Sequence, residues 1–233
     1  MCITCSRRHL LAGALVTLAL GPQPTMAASQ TRIACALAGA RRVPADGKAQ
    51  SGDTKFDNAV IAELRHILSV IPVNPGFQYV EDENAFSRDD TWIAGTKGTI
   101  LIGLKLVRGL LKPDEGGLSV ACVLAHECGH IYQFFSEDQF YDRLSGPTQR
   151  LQELHADVLA GFYMGKRLGA ATSTLGVVQK AMIDFGKYNS ADPKDHGTPG
   201  QRNAAIDKGF VLASKGIKFE NAAREGEAYV RTL

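Results

Sequence analysis

The sequence predicts an α+β chain, mainly helical, in which a small β-sheet packs on one buried helix. Three observations predict it. Around residues 118–133, Leu118, Val120, Ala121, Val123, Leu124, Ala125, Cys128 and Ile131 make a helix that is apolar nearly all round, as a buried helix is. Just before it, residues 99–107 form an aliphatic run bounded by Gly98 and Gly109, which reads as a strand. After it, several segments carry apolar residues at helical spacing rather than in strand alternation.

Residues 1–28 are set apart from the fold, because Arg7-Arg8 precedes an apolar run from Leu10 to Leu20 that ends in Gly-Pro and small residues. This pattern is expected to be an export signal cleaved after Ala27 or Ala28. The run is shorter than the ~20 residues a membrane span needs, so no stable span is expected in the mature protein. Ser6-Arg7-Arg8-His9-Leu10-Leu11 resembles the bacterial twin-arginine signal. That resemblance implies the twin-arginine export machinery as a partner and a periplasmic or secreted destination.

Cys2 and Cys5 fall within the signal. Cys122 and Cys128 would stand about 9 Å apart along one helix and cannot bond to each other, while Cys35 is left open to pair with either.

Residues 29–54 lack periodicity and carry the turn signals Pro44, Asp46-Gly47 and Ser51-Gly52-Asp53, so a poorly ordered lead-in is expected. Residues 55–233 then suit a single domain, since 45% hydrophobic and 21% charged residues are an ordinary globular composition. A net charge of +2 without a long basic run excludes nucleic acid as an expected partner.

Residues 57–70 place Val60, Ile61, Leu64, Ile67 and Leu68 on one helical face, stopped by Pro72 and Asn74-Pro75-Gly76. His66, in that helix, reads as structural. Strands follow at 77–80, 92–94 and 99–107. Asp114 and Glu115 suit the positive end of the next helix. The aromatic stretch from Phe134-Phe135 to Leu144 reads as core cover, or else as a wall of the cleft. Gly146-Pro147 starts a second long helix. A third is expected at 175–185, a polar loop at 187–195, a helix opened by His196 and running towards Leu212, and a last one at 221–231.

The buried helix carries His126-Glu127-Cys128-Gly129-His130, an H-E-x-x-H pattern. Residues four apart share a helix face, so two imidazoles can aim at one zinc ion with Glu127 beside its open position. Burying them without partners would cost roughly 2–7 kcal/mol per polar group, which a metal offsets. A third ligand is needed. The extension H-E-x-x-H-x-x-G-x-x-H is excluded by Gln133 and Ser136. Glu153 can bind zinc, and Asp157, one turn on, can accept the far ring N–H of a ligating histidine. His155 points to the opposite side of that helix.

Ala125-His126-Glu127-Cys128-Gly129-His130-Ile131-Tyr132-Gln133, then Glu153-Leu154-His155-Ala156-Asp157, then His196-Gly197-Thr198-Pro199-Gly200-Gln201-Arg202 resemble the bacterial neutral zinc metallopeptidases. Asn84-Ala85-Phe86 and the strand-to-helix stretch before His126 are more similar to HtpX-like endopeptidases. Both belong to the gluzincin class. The resemblance implies a zincin-like fold, one zinc held by His126, His130 and Glu153, Glu127 as general base, and a peptide or unfolded protein as substrate. In zinc endopeptidases an edge strand binds the substrate as an added strand, and residues 100–105 are the candidate here, unless they are an ordinary core strand. His196 or Arg202 is expected to stabilise an oxyanion or to serve the helix cap. The competing readings are a zinc-stabilised binding or assembly-factor domain without turnover and a metal-dependent hydrolase of a non-peptide, cell-wall amide.

Overall fold

The structure, a computed structural model, describes residues 31–34, 45–112, 116–169, 176 and 196–233. Helix α1 (Thr54–Val70) begins where the Asp53 carboxylate accepts from the amides of Lys55 and Phe56 at 2.9 and 3.1 Å, satisfying donors that the first turn cannot. It stops at Ile71, because Pro72 has no amide to donate.

Four strands form one sheet, β1 (Ile33–Ala34), β2 (Gly76–Val80), β3 (Ala85–Arg88) and β4 (Thr99–Gly103), in the order β1-β3-β4-β2. β4 runs parallel to β2 and antiparallel to β3, and β1 lies antiparallel on the outer side of β3.

This order corrects the expectation that residues 100–105 are a substrate-binding edge strand. β4 is interior and buried throughout, the sheet's edges are β1 and β2, and β3, whose outer side β1 covers, is the strand packed on the buried helix. The strand also ends earlier than expected. At Gly103 a Cβ would lie 2.3 Å from the Asp82 carbonyl oxygen, so glycine lets the chain turn tightly there into helix α2 (Leu104–Leu110). An aliphatic run reads the same whether it ends in a strand or a buried helix. Residues 92–94 form turns, with the Trp92 ring under the Arg88 guanidinium at 4.8 Å. The lead-in is held at two points: β1 joins the sheet, and Lys48 exchanges backbone hydrogen bonds of 2.7 and 2.8 Å with Tyr79.

Helix α3 (Gly116–Phe135) is the buried helix, with 17 of its residues out of solvent between the sheet and the later helices. A short turn of helix, α4 (Phe140–Arg143), follows. The second long helix, α5 (Arg150–Leu168), starts three residues beyond Pro147. Helix α6 (Pro199–Ser214) is opened by a capping box, the Thr198 hydroxyl accepting from the Gln201 amide and the Gln201 side chain accepting from the Thr198 amide. Helix α7 is Phe219–Val230.

Two glycines set how α5 and α6 pack. A Cβ on Gly209 would stand 2.0 Å from the Val158 carbonyl oxygen, and one on Gly161 would stand 2.2 Å from that of Ile206. The backbones therefore touch, which lays Arg202 alongside Asp157. Apart from residue 176, the expected helix at 175–185 lies outside the described residues, as do the loop at 187–195, the signal, Cys35, Asp114 and Glu115. Residues Thr31–Leu233 form one compact unit, α+β and mainly helical. Among the described residues no helix is long and apolar enough to cross a membrane.

Candidate metal centre

His126 and His130 lie one turn apart on α3, as their spacing requires, and α5 packs against that same face. Gly129, between them, leaves room for it: a Cβ there would sit 3.3 Å from the Ala156 Cα. Glu153 and Asp157, one turn apart on α5, then meet the histidines.

Ligand atoms of His126, His130 and Glu153 all lie within 4.8 Å of one another, and the three residues are buried. His126 Nε2 stands 3.1 Å from His130 Nε2 and 3.3 Å from Glu153 Oε2, and His130 Nε2 stands 3.4 Å from Glu153 Oε1. The partners on the far sides of the rings explain the arrangement. His126 Nδ1 lies 2.9 Å from Asp157 Oδ1, an acceptor, and His130 Nδ1 lies 2.9 Å from Gln133 Oε1, also an acceptor. The bond to Gln133 keeps the proton of a neutral His130 on Nδ1, and the ion-pair contact with Asp157, close but not aligned as a hydrogen bond, favours the same tautomer in His126, so both Nε2 atoms face the carboxylate. With His126 neutral, three electron-rich atoms facing one another out of water need a cation among them, which is a proton on His126 in the metal-free protein and a metal ion when one is bound. The cluster fits a metal ion.

Each support is itself supported. Asp157 receives Arg202 Nε and Nη2 at 2.7 Å each, a bidentate pair in which both residues are almost wholly buried. Gln133 Nε2 donates to the Gln152 carbonyl at 2.8 Å and faces His155 Nδ1 at 3.1 Å, while His155 Nε2 donates to the Ala223 carbonyl at 2.9 Å. Thus His155 is not in the metal cluster. It stands behind Gln133, tilted against the Phe140 ring at 4.8 Å, and links α7 to His130 through Gln133.

Glu127, next to the cluster on α3, is fully buried. Its Oε2 accepts the Ser87 hydroxyl of β3 at 2.7 Å, and its Oε1 has no hydrogen-bond partner among the described residues. One oxygen is anchored and the other is open. His196, also buried, has neither ring nitrogen bonded among the described residues and lies close enough to Glu153 for its charge to act there.

The electrostatics follow from burial. Desolvation raises the Glu127 pKa, only partly countered by the neighbouring histidines and Ser87. For Glu153 burial also pushes upward, but the charges of His130 and His196 and the bonds from both cluster histidines hold it well below the usual carboxylate range. Asp157 is likewise lowered, burial being outweighed by Arg202 and His126. Burial disfavours a charged His126, yet Asp157 and Glu153 raise it to about 9 in the metal-free protein. His155, with burial dominant, is lowered to about 4 and stays neutral. Cys122 and Cys128 are free thiols, buried and pushed upward by desolvation, so they stay protonated.

Of the residues singled out in the sequence, His126, Glu127, His130, Glu153 and Asp157 come together, with the His196 charge felt at Glu153. Arg202 reaches the group through Asp157. Ser87, Gln133 and Ala223 were not identified as site residues. Gln133 had a visible signal, as the residue three beyond His130. Ser87 and the Ala223 carbonyl had none, because strand pairing and helix packing bring them in. Compared with protein-family models, characterised proteins and solved structures, the chain gives no match.

Proposed function

We propose that this chain is a zinc-dependent metallopeptidase of gluzincin type, with a zincin-like arrangement of sheet and metal helix, acting on peptides or unfolded proteins. The observation that carries it is the spacing of the donor atoms. A tetrahedral ion with bonds of ~2.0–2.1 Å separates its ligands by about 3.3–3.4 Å; the two Nε2 atoms stand 3.1 Å apart, and each has one Glu153 oxygen near that separation, Oε2 at 3.3 Å from His126 and Oε1 at 3.4 Å from His130. Two imidazoles and one carboxylate are also a donor set that suits zinc better than calcium or magnesium. Three protein ligands leave a fourth position, as catalytic zinc sites do.

A bound zinc ion supplies Lewis acidity there, polarising a carbonyl and bringing the pKa of a water to about 7. The protein's own residues do the rest. Ser87 fixes one oxygen of Glu127, leaving Oε1 to take a proton from the attacking water and return it to the departing amine. Its raised pKa suits a base that must also give its proton back. Asp157 and Gln133 keep the histidine protons on Nδ1, so that Nε2 stays available to the ion.

A second reading, a zinc-stabilised domain without turnover, is favoured by one observation: Glu127 and the three ligands are no more than 1% exposed. Substitution of Glu127 by Gln separates the two readings, since it removes the acceptor and keeps the shape. Zinc content and melting temperature should match wild type while kcat on a peptide library falls by roughly a hundredfold or more. Zinc-loaded wild type that cleaves nothing would support the non-catalytic reading.

A further inference from the structure

The outer edge of β3 is the strand edge beside Glu127, and part of this chain already lies on it. Ala34 pairs with Ser87 and Ile33 with Arg88. Residues directly opposite in an antiparallel pair project from the same face, so Ala34 shares the face from which the Ser87 hydroxyl reaches Glu127. Ala34 is 1% exposed, and only a small side chain occupies that place.

Two residues earlier on the same face, Arg32 enters a site that fits a guanidinium. Its Nε meets Asp89 Oδ2 at 2.8 Å, Nη2 donates to the Phe134 carbonyl at 3.1 Å, and Nη1 meets Asp142 at 3.5 Å. The rings of Phe134 and Tyr141 each lie 5.4 Å from its Cζ. The backbone is held as a strand partner is: Arg32 N donates to Asp89 Oδ1 at 2.9 Å, Asp89 N to the Arg32 carbonyl at 3.1 Å, and Gln149 Nε2 to the Ile33 carbonyl at 3.2 Å.

We propose that the β3 edge, with Asp89, Phe134, Tyr141 and Asp142, is a binding site for extended peptides carrying an arginine two residues before a small residue, and that Thr31–Ala34 occupies it as an internal competing ligand. The proposal rests on the peptidase reading, which makes the edge a substrate path. A tethered strand competes at an effective concentration that a free peptide must exceed, so an intact strap suppresses binding in trans.

The test is fluorescence polarisation of a labelled peptide containing Thr-Arg-Ile-Ala, with Thr-Glu-Ile-Ala as control, against full-length zinc-loaded protein. Arg32→Glu meets Asp89 and Asp142 with like charge and releases the strap. It should bind the arginine peptide at least tenfold more tightly than wild type, and adding Asp89→Asn should remove the gain. Equal binding by wild type and an Arg32→Glu variant of unchanged zinc content and circular dichroism would overturn the proposal. Arg32→Gln serves in the same comparison should Arg32→Glu not fold. In the wild type, excess arginine peptide should speed amide exchange at Ile33 and Ala34, and no change there would also overturn it. Binding is read without turnover, so failure of the peptidase reading appears separately, as normal binding with no cleavage.

Discussion

Arg202→Ala distinguishes two roles for the same residue, because an oxyanion donor and a buried structural partner fail in different ways. In the structure Arg202 makes two bonds of 2.7 Å to Asp157, and the two side chains are 3% and 0% exposed. Its removal leaves a buried carboxylate facing only His126. Breaking one partner of such a pair typically costs about 3–5 kcal/mol. For a chain of this size that corresponds to a fall in melting temperature of roughly 6–20 °C, at about 2–4 °C per kcal/mol. Asp157 also loses the contact that aims it at His126 Nδ1, so zinc affinity should fall by roughly 10–100-fold. Thermal unfolding with and without chelator, and zinc competition with a chromophoric chelator, measure the two effects. Unchanged stability and zinc affinity with reduced kcat would refute the reasoning and return Arg202 to the oxyanion role.

In metal-free protein the folded pKa of His126, about 9, stands above its ordinary 6.5, so its contribution to stability is complete below about pH 6.5 and lost as pH rises through 9. The same proton must leave before a metal binds, so zinc affinity should rise with pH, by up to about tenfold per unit, between those values; competition titrations giving a flat profile would count against it. Gly209→Ala should cost about 3 kcal/mol or more, since its Cβ would meet the Val158 carbonyl at 2.0 Å; denaturant unfolding checks it, and a neutral result would mean that α5 and α6 do not touch there. Arg7→Lys with Arg8→Lys should block export if residues 1–28 are a twin-arginine signal, and normal periplasmic accumulation would remove that assignment.

The described long helices and the candidate metal cluster were legible because both obey local periodicities. His126 and His130, and Glu153 and Asp157, are pairs at four-residue spacing, so a single helix face suffices to predict each pair. The sheet was less legible because its logic is non-local. Ala85–Arg88 is too short and mixed to stand out, and only its pairing with β4 and β1 makes it a strand. The run after Thr99 could not reveal its break at Gly103, which depends on the Asp82 and Asn84 carbonyls pressing against that position. Arg202 was noticed as an oxyanion donor or a helix-cap residue but not as the partner of Asp157, because that ion pair spans 45 residues and exists only through the close approach of α5 and α6.

The line of hydrogen bonds from the Ala223 carbonyl through His155 and Gln133 to His130 ties α7 to the metal cluster. Binding and local folding are then reciprocal: whatever free energy α7 contributes to the ion's affinity, the ion returns to α7 as resistance to fraying. Were an ion bound, its loading would therefore be felt in a helix that supplies no ligand, as slower amide exchange along α7.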